Sequence, residues 1–180
     1  MTTAIATTAD VVAALGRSLT TAEPDRATAL LLLATAAVEA ETRRRFAPGT
    51  YTVGRKVRAG KVSLPATVDT VTEVRSVDQT TGTAQVLTGY TTRGRTIYGL
   101  PACFVEVDFT VTEAPPAEVV GVVAGIAAAT ISGPPVGASQ ESAGPFSVSY
   151  ADSSGRVWLS ASDKAILCRF RQPKSALELL

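Results

Sequence analysis

Residues 133–150 read GPPVGASQESAGPFSVSY, and this stretch separates a helical core from a C-terminal arm. Its Gly-Pro-Pro start ends the preceding helix, because proline lacks the N–H that a helix interior requires. The polar residues in its middle predict a loop, and the alternation from Phe146 to Tyr150 predicts a strand. A Ser-Ser-Gly turn and a capped helix from Ser160 to Arg171 follow. We therefore expect residues 133–180 to form an arm that packs somewhere other than on the local core.

A short helix and then a long one are predicted near the start of the chain. Thr7 and Asp10 form a capping box for the short helix, and Gly16 ends it. The long helix should run from about Ala22 to Phe46. Its apolar face at helical spacing consists of Ala27, Leu30, Leu31, Ala34 and Val38.

Four consecutive leucines occupy one turn of the long helix: Leu30, Leu31, Leu32 and Leu33. Because they cover the whole circumference, the helix is typical of one that is buried on more than one side. A neighbouring copy most easily supplies the second side in so small a protein, so these leucines are candidates for packing between subunits. The alternative is a central helix that its own chain wraps.

Three arginines, Arg43, Arg44 and Arg45, are predicted to end the long helix before a stop at Pro48-Gly49. Cations at this end complement the negative end of the helix dipole, each contributing about 0.3–1 kcal/mol. The alternative interpretation is a contact with phosphates or with an acidic partner surface.

The pattern between about residues 51 and 112 is that of strands. Its clearest strand runs from Phe104 to Val111, where buried-type residues alternate with Glu106, Asp108 and Thr110, as in a half-buried antiparallel strand. Pro115-Pro116 then opens another helix. Gly121, Gly125 and Ala129 share one face of it, and such small residues allow close approach of a neighbouring helix, for which the long helix is the obvious mate. Gly121 and Gly125 are also candidates for subunit packing.

The predicted fold class is therefore α+β. Residues 1–132 form a small helical bundle, built from the long Ala/Leu helix and the proline-started Ala-rich helix, with an antiparallel β-subdomain inserted at about 51–112. Residues 133–180 form an arm that contains a hairpin and a helix.

The amino-acid composition restricts the classes of function that the protein can have. Charged residues make up 18% of the 180 residues against a typical ~25%, which suits burial in an assembly. The net charge of +1 argues against a dedicated nucleic-acid binder, and no apolar segment is long enough to cross a membrane. No signal peptide is indicated, so we expect a soluble protein made in a cytoplasm.

Cys103 and Cys168 are interpreted as small buried hydrophobes, with a disulfide as the alternative.

The chain contains no histidine, which excludes Ser-His-Asp and Cys-His triads and the usual zinc enzymes. No cofactor-binding motif is found, and no cofactor is expected. The best enzymatic alternative is a small metal-dependent hydrolase in which Glu106 and Asp108, on one strand face, bind Mg²⁺. Alternating acids on an antiparallel strand are more typical of its solvent-exposed face. The sequence thus favours a structural or adaptor protein.

The order of elements resembles the head-to-tail connector (adaptor) proteins of long-tailed double-stranded-DNA bacteriophages. Three stretches carry the resemblance. The first is the helix exit Thr42-Arg43-Arg44-Arg45-Phe46, and the second is Pro116-Ala117-Glu118-Val119-Val120. The third and most specific is Gln140 to Tyr150, followed by Leu159-Ser160 and Arg169-Phe170-Arg171.

The resemblance implies a ring of copies, twelve by the family's pattern, in the virion neck beneath the portal. The ring would extend the channel for packaged double-stranded DNA, which passes without sequence recognition, and would dock a stopper or tail-completion protein. A stopper or tail-completion protein of the same neck is the alternative identity. The protein would be made in the host cytoplasm and would not enter a membrane. The arm would dock on the portal or a neighbour through Phe146, Val148, Tyr150, Trp158, Leu167, Phe170, Leu177, Leu179 and Leu180.

Overall fold

The computed structural model describes residues 3–66, 68, 70–133, 140–143, 146–149 and 157–172. The chain divides into two compact units and has the predicted α+β class. Unit 1 comprises Met1–Thr42 and Pro116–Arg171, and unit 2 comprises Arg43–Pro115 and Gln172–Leu180. The β-rich unit 2 is thus inserted into the helical unit 1.

The described residues of unit 1 form four α-helices: α1 (Thr8–Leu15), α2 (Glu23–Thr42), α3 (Ala117–Ser132) and α4 (Ala161–Leu167). The predicted capping box of α1 is confirmed, with Thr7 and Asp10 bonded reciprocally. The helix ends as expected at Gly16, whose φ of 67° is left-handed and therefore suits glycine. A 3₁₀ turn, Cys168–Phe170, continues α4.

The core of unit 1 lies where α1 and α2 pack against α3. All five residues of the predicted apolar face of α2 are buried, which confirms that stripe. From α3, Val119, Val123 and Ala127 are fully buried at helical spacing. The N–H of Ile5 donates to Thr35 Oγ1 at 3.1 Å, so the buried hydroxyl of α2 has a partner. Burial of each of the leucine and valine side chains stabilises the unit by about 1.5–3 kcal/mol.

The long helix ends at Thr42 rather than Phe46, so the predicted end was wrong. Arg43 has a φ of 56°, a left-handed conformation that stops the helix without a glycine. The hydroxyl of Thr42 donates to the Val38 carbonyl one turn back, at 2.7 Å. The three arginines consequently lie directly after the helix and not in its last turn.

The free energy of unfolding of unit 1 should vary with pH in the acid range because of Glu23, which lies at the start of α2. Arg17, together with the backbone N–H of Thr20, lowers the pKa of the Glu23 carboxyl to about 2. A depressed pKa stabilises the fold above the unfolded value of 4.5, and this contribution is lost as pH falls towards 2. We expect Glu23→Gln to flatten the fall in unfolding free energy between pH 4.5 and 2. Urea unfolding at several pH values measures this slope; an unchanged slope in the variant would refute the assignment.

Two antiparallel sheets are formed by the part of unit 2 that the structure describes. The first has the strand order β1-β7-β3-β4, with β1 (Gly49–Lys56), β3 (Thr70–Val77), β4 (Ala84–Val86) and β7 (Phe104–Val111). The second has the order β2-β6-β5, with β2 (Lys61–Ser63), β5 (Thr91–Arg93) and β6 (Thr96–Tyr98). All strand pairs in both sheets are antiparallel.

The central strand β7 has the predicted alternation: Val105, Val107, Phe109 and Val111 are buried, and the residues between them are partly exposed. These buried residues pack in one core with Val62 and Ile97 from the second sheet. The Tyr51 and Phe109 rings lie 5.7 Å apart, within the range of favourable aromatic pairs. One hydrophobic core therefore holds both sheets of unit 2 together.

The C-terminal part differs from the predicted arm in two respects. Gln140–Ala143 (β8), predicted to be loop, pairs antiparallel with Phe146–Ser149 (β9), which confirms the strand predicted there. The α4 helix begins with the predicted Ser160 capping box but packs against α2 and α3 in unit 1. Ion pairs Arg169–Glu118 and Arg171–Glu41 accompany this packing. This helix is therefore part of the core of unit 1 and does not extend away from it.

Two further predictions were wrong: that the face of Gly121, Gly125 and Ala129 meets the long helix, and that both cysteines are buried. Gly121, Gly125 and Ala129 are exposed, and beyond the adjacent backbone of α3 itself no atom lies within 4 Å of a Cβ added at either glycine. The valine-rich face of α3 contacts the long helix instead. Cys168 is exposed and Cys103 is only half-buried, and both are free thiols. Within the described residues, none of the helices combines the length and hydropathy needed to cross a bilayer.

Candidate functional site

An uncharged apolar stripe on the outer side of α2 is the first candidate surface. We call it the α2 stripe; it consists of Ala29, Leu32, Leu33, Ala36 and Ala40, all exposed. Leu32 and Leu33 are 39% and 56% exposed, whereas the adjacent Leu30 and Leu31 are buried. At a rise of about 1.5 Å per residue, the stripe runs about 16 Å along the helix. An uncharged stripe that holds two exposed leucines is a candidate surface for a protein contact.

The exposed face of α3 has the opposite shape. Gly121, Gly125 and Ala129 give this helix an uncharged face with little side-chain bulk, since two of the three residues have no side chain. We call this the α3 groove. Both surfaces belong to unit 1. The α2 stripe has two bulky leucine side chains, whereas two residues of the α3 groove have no side chain.

The residues predicted to dock on a partner fall into three groups. Trp158 is 71% exposed and Phe170 is partly exposed, with the Arg169 guanidinium 4.9 Å from its ring centroid. Leu167 is buried in unit 1, so its prediction as a docking residue was wrong: its side chain fills the core under α4. Phe146 and Val148 lie on β9, while Tyr150, Leu177, Leu179 and Leu180 lie outside the described residues.

The three arginines after α2 do not form one cluster. Arg44 lies 5.3 Å from the Phe46 ring centroid, and burial, reinforced by Arg95, lowers the pKa of its guanidinium. Arg45 lies 5.6 Å from the Tyr51 ring centroid. Arg43 instead lines a cleft in unit 2. The three arginines therefore have different surroundings, and their contact with phosphates or an acidic partner surface stays a prediction.

The cleft lined by Arg43 is a strongly charged site of unit 2 that the sequence interpretation missed. It has a volume of about 630 Å³, and five cations line it: Arg43, Arg55, Lys56, Arg58 and Lys61. Among the described residues, no carboxylate lines it. We call it the basic cleft. The available signal was RKVRAGK at residues 55–61, four cations within seven residues and no acid.

A tight turn brings two of these cations together. Ala59 and Gly60 have φ values of 48° and 71°, the left-handed pair typical of a two-residue hairpin turn. The backbone groups of Arg58 and Lys61 bond to each other reciprocally, at 3.1 and 3.0 Å. Arg58 and Lys61 therefore lie opposite each other at the end of a hairpin, and both residues are exposed.

The candidate metal pair lies on the outer face of the first sheet and is engaged by protein groups. Thr52 Oγ1 donates to one oxygen of Asp108, and Arg75 Nη2 lies 2.8 Å from the other. Glu106 is 3.7 Å from the same arginine nitrogen. No group of three or more potential metal ligands occurs in the described parts of the chain. This arrangement is an ion cluster around Arg75.

We expect Asp108→Ala to destabilise unit 2 by about 1 kcal/mol, because a partly exposed, charge-assisted pair is lost. We also expect millimolar Mg²⁺ or Mn²⁺ to leave the melting temperature of the unsubstituted protein unchanged. Thermal melting with and without the metal measures both effects. Metal-dependent stabilisation that disappears in Asp108→Ala would instead favour the hydrolase alternative.

The fold is shared with a component of a larger particle. The chain is similar to a chain in a structure of the neck of an empty GTA particle computed with C6 symmetry. The two are 21% identical with a TM-score of 0.62, and the match covers 97% of this chain and 95% of the other. No protein-family model and no curated protein matches the sequence. The likeness therefore concerns the fold, and it extends over nearly the full length of both chains.

Proposed function

We propose that this protein is a structural subunit of the neck of a phage-like particle, where copies form a connector ring beneath the portal. The observation that carries the proposal is the full-length likeness to a chain from the neck of a GTA (gene transfer agent) particle. The resemblance of the sequence to phage connectors, which rests on short stretches and the order of elements, also supports a neck protein. The protein is then not an enzyme; its work is docking, in which many contacts in register give high avidity.

Contacts between copies are assigned to the two surfaces of unit 1. Leu32 and Leu33 of the α2 stripe would pack into the α3 groove of the next copy, where Gly121 and Gly125 leave room. Because the two surfaces differ, the interface is heterologous, and such interfaces close into rings when the rotation fits. The six-fold symmetry applied to the similar neck is compatible with six copies or a multiple, including the twelve of the connector family.

Contacts with other virion parts are assigned to the C-terminal residues. Trp158 is the most exposed large apolar side chain of the described residues, and Ile166 on α4 is also exposed. Aromatic side chains of this kind often anchor protein interfaces. We assign them to the portal, and the opposite end of the ring to a stopper or tail-completion protein. Packaged double-stranded DNA would pass through the ring.

The position of the chain in a virion map tests this proposal. A ring of this chain directly beneath the portal supports the connector. A position further along the neck would make it a stopper or a tail-completion protein. Absence of the chain from the particle would overturn the proposal altogether.

A further inference from the structure

We propose that the basic cleft of unit 2 binds an unpaired segment of nucleic acid. This activity does not depend on ring formation, and it differs from the passage of duplex DNA through a channel. Three observations carry the inference: uncompensated positive charge, aromatic side chains in the lining, and the concave shape of the site.

Four of the five cations of the cleft are without an opposite charge among the residues that the structure describes. Arg55, Lys56, Arg58 and Lys61 form no ion pair with any residue that the structure describes. Glu106 lies opposite Gly54 in the sheet, but its carboxylate is directed to Arg75, 3.7 Å away. Like charges gathered in a cleft repel one another, so a polyanionic ligand would relieve the repulsion.

The net charge of the whole chain does not show how much positive charge is concentrated in residues 43–115. Residues 43–115 contain ten Lys and Arg against six Asp and Glu, which gives a net charge of +4. The remaining residues contain seven Lys and Arg against ten Asp and Glu, a net charge of −3. The near-neutral total of +1 therefore does not argue against nucleic-acid binding by unit 2.

Aromatic side chains give the cleft a second means of recognition. Tyr98 is 42% exposed and lines the cleft together with Phe104. The Phe104 ring packs against Gly54, where an added Cβ would lie only 2.7 Å from Phe104 Cζ. A positively charged groove with aromatic side chains on which bases stack is the usual design for binding single strands.

The shape favours a single strand over a duplex. Duplex DNA presents phosphates on a convex surface and keeps its bases paired inside, so no base could reach Tyr98. A cleft of about 630 Å³ falls in the size range of sites that enclose small ligands. An unpaired segment can place its phosphates on the arginines and lysines and a base on the aromatic side chains. An acidic peptide would satisfy the cations but would leave the aromatic side chains without a matching partner.

Fluorescence anisotropy of a labelled oligothymidine, titrated with the full chain at low salt, tests the inference. We expect binding with a slope of log K against log salt near −3, because four or five contacts each contribute about −0.7 for single strands. Arg58→Glu with Lys61→Glu should weaken binding at least about tenfold. Both residues are exposed, so the variant should fold. Arg93→Glu, an exposed cation of unit 2 outside the cleft lining, is the matched control and should bind as before.

Further titrations test whether bases stack on Tyr98 and which class of ligand the cleft binds. Tyr98→Ala should weaken oligothymidine binding at least about fivefold, whereas a duplex of equal length should bind more weakly than the single strand throughout. The inference fails if a poly-glutamate peptide binds the cleft and oligothymidine does not. It also fails if duplex and single strand bind equally and Tyr98→Ala has no effect, or if neither nucleic acid binds. None of these results would bear on ring assembly.

Discussion

Replacing both Leu32 and Leu33 by aspartate is expected to leave the protein folded but monomeric. The two leucines are exposed in the single chain, so the substitution should not disturb the core of unit 1. In the proposed ring, each copy would have to bury two unpaired carboxylates against the α3 groove of its neighbour. A buried, unpaired charge costs several kcal/mol, so assembly should weaken by at least about a hundredfold. Sedimentation velocity measures the loss, and circular dichroism checks the fold.

A matched control separates a specific interface from a general effect of added charge. Val86 in unit 2 is 55% exposed, nearly the same as Leu33 at 56%. Val86→Asp should therefore assemble as the unsubstituted protein does. If the leucine variant still forms rings of unchanged mass, the α2 stripe is not the subunit interface.

Phe109→Ala is expected to unfold or strongly destabilise unit 2. This ring is fully buried on the central strand β7, and its register partners are Tyr51 on β1 and Val71 on β3. Truncating a buried phenylalanine removes apolar contacts and leaves a cavity, which costs about 3–5 kcal/mol. Total stabilities of domains are only about 5–15 kcal/mol, so this is a large fraction. Urea unfolding followed by circular dichroism measures the change.

Thr110→Ala provides the comparison, since Thr110 is the next residue along the strand and lies on its partly exposed face. We expect it to change the unfolding free energy by less than about 0.5 kcal/mol. A loss below about 1 kcal/mol for Phe109→Ala would mean that β7 is not the centre of the core. Comparable losses for both substitutions would contradict the alternating burial of this strand.

The sequence predicted those elements whose signal is local. Thr7 with Asp10, and Ser160 with Asp163, are capping boxes that depend on residues three apart, and both form. The alternation from Phe104 to Val111 identifies its own buried face. The apolar face of α2 was also predicted correctly, because helical periodicity fixes which residues share a side.

The sequence could not predict features that depend on distant residues or on one backbone angle. The left-handed conformation of Arg43 moves the arginines out of α2, and no residue type there signals it. Spacing placed Gly121 and Gly125 on one face but could not determine which face of α3 meets α2. The basic cleft has a local signal at residues 55–61, but Tyr98 and Phe104 reach it only through sheet pairing.

The mass of the particle that the purified protein forms, alone and mixed with a portal protein, tests the neck assignment most directly. We predict a closed ring with a mass that is six times the 18.6 kDa chain or a multiple of that, and a larger complex when the portal is added. A monomer of 18.6 kDa at high concentration that also fails to bind the portal would contradict the account.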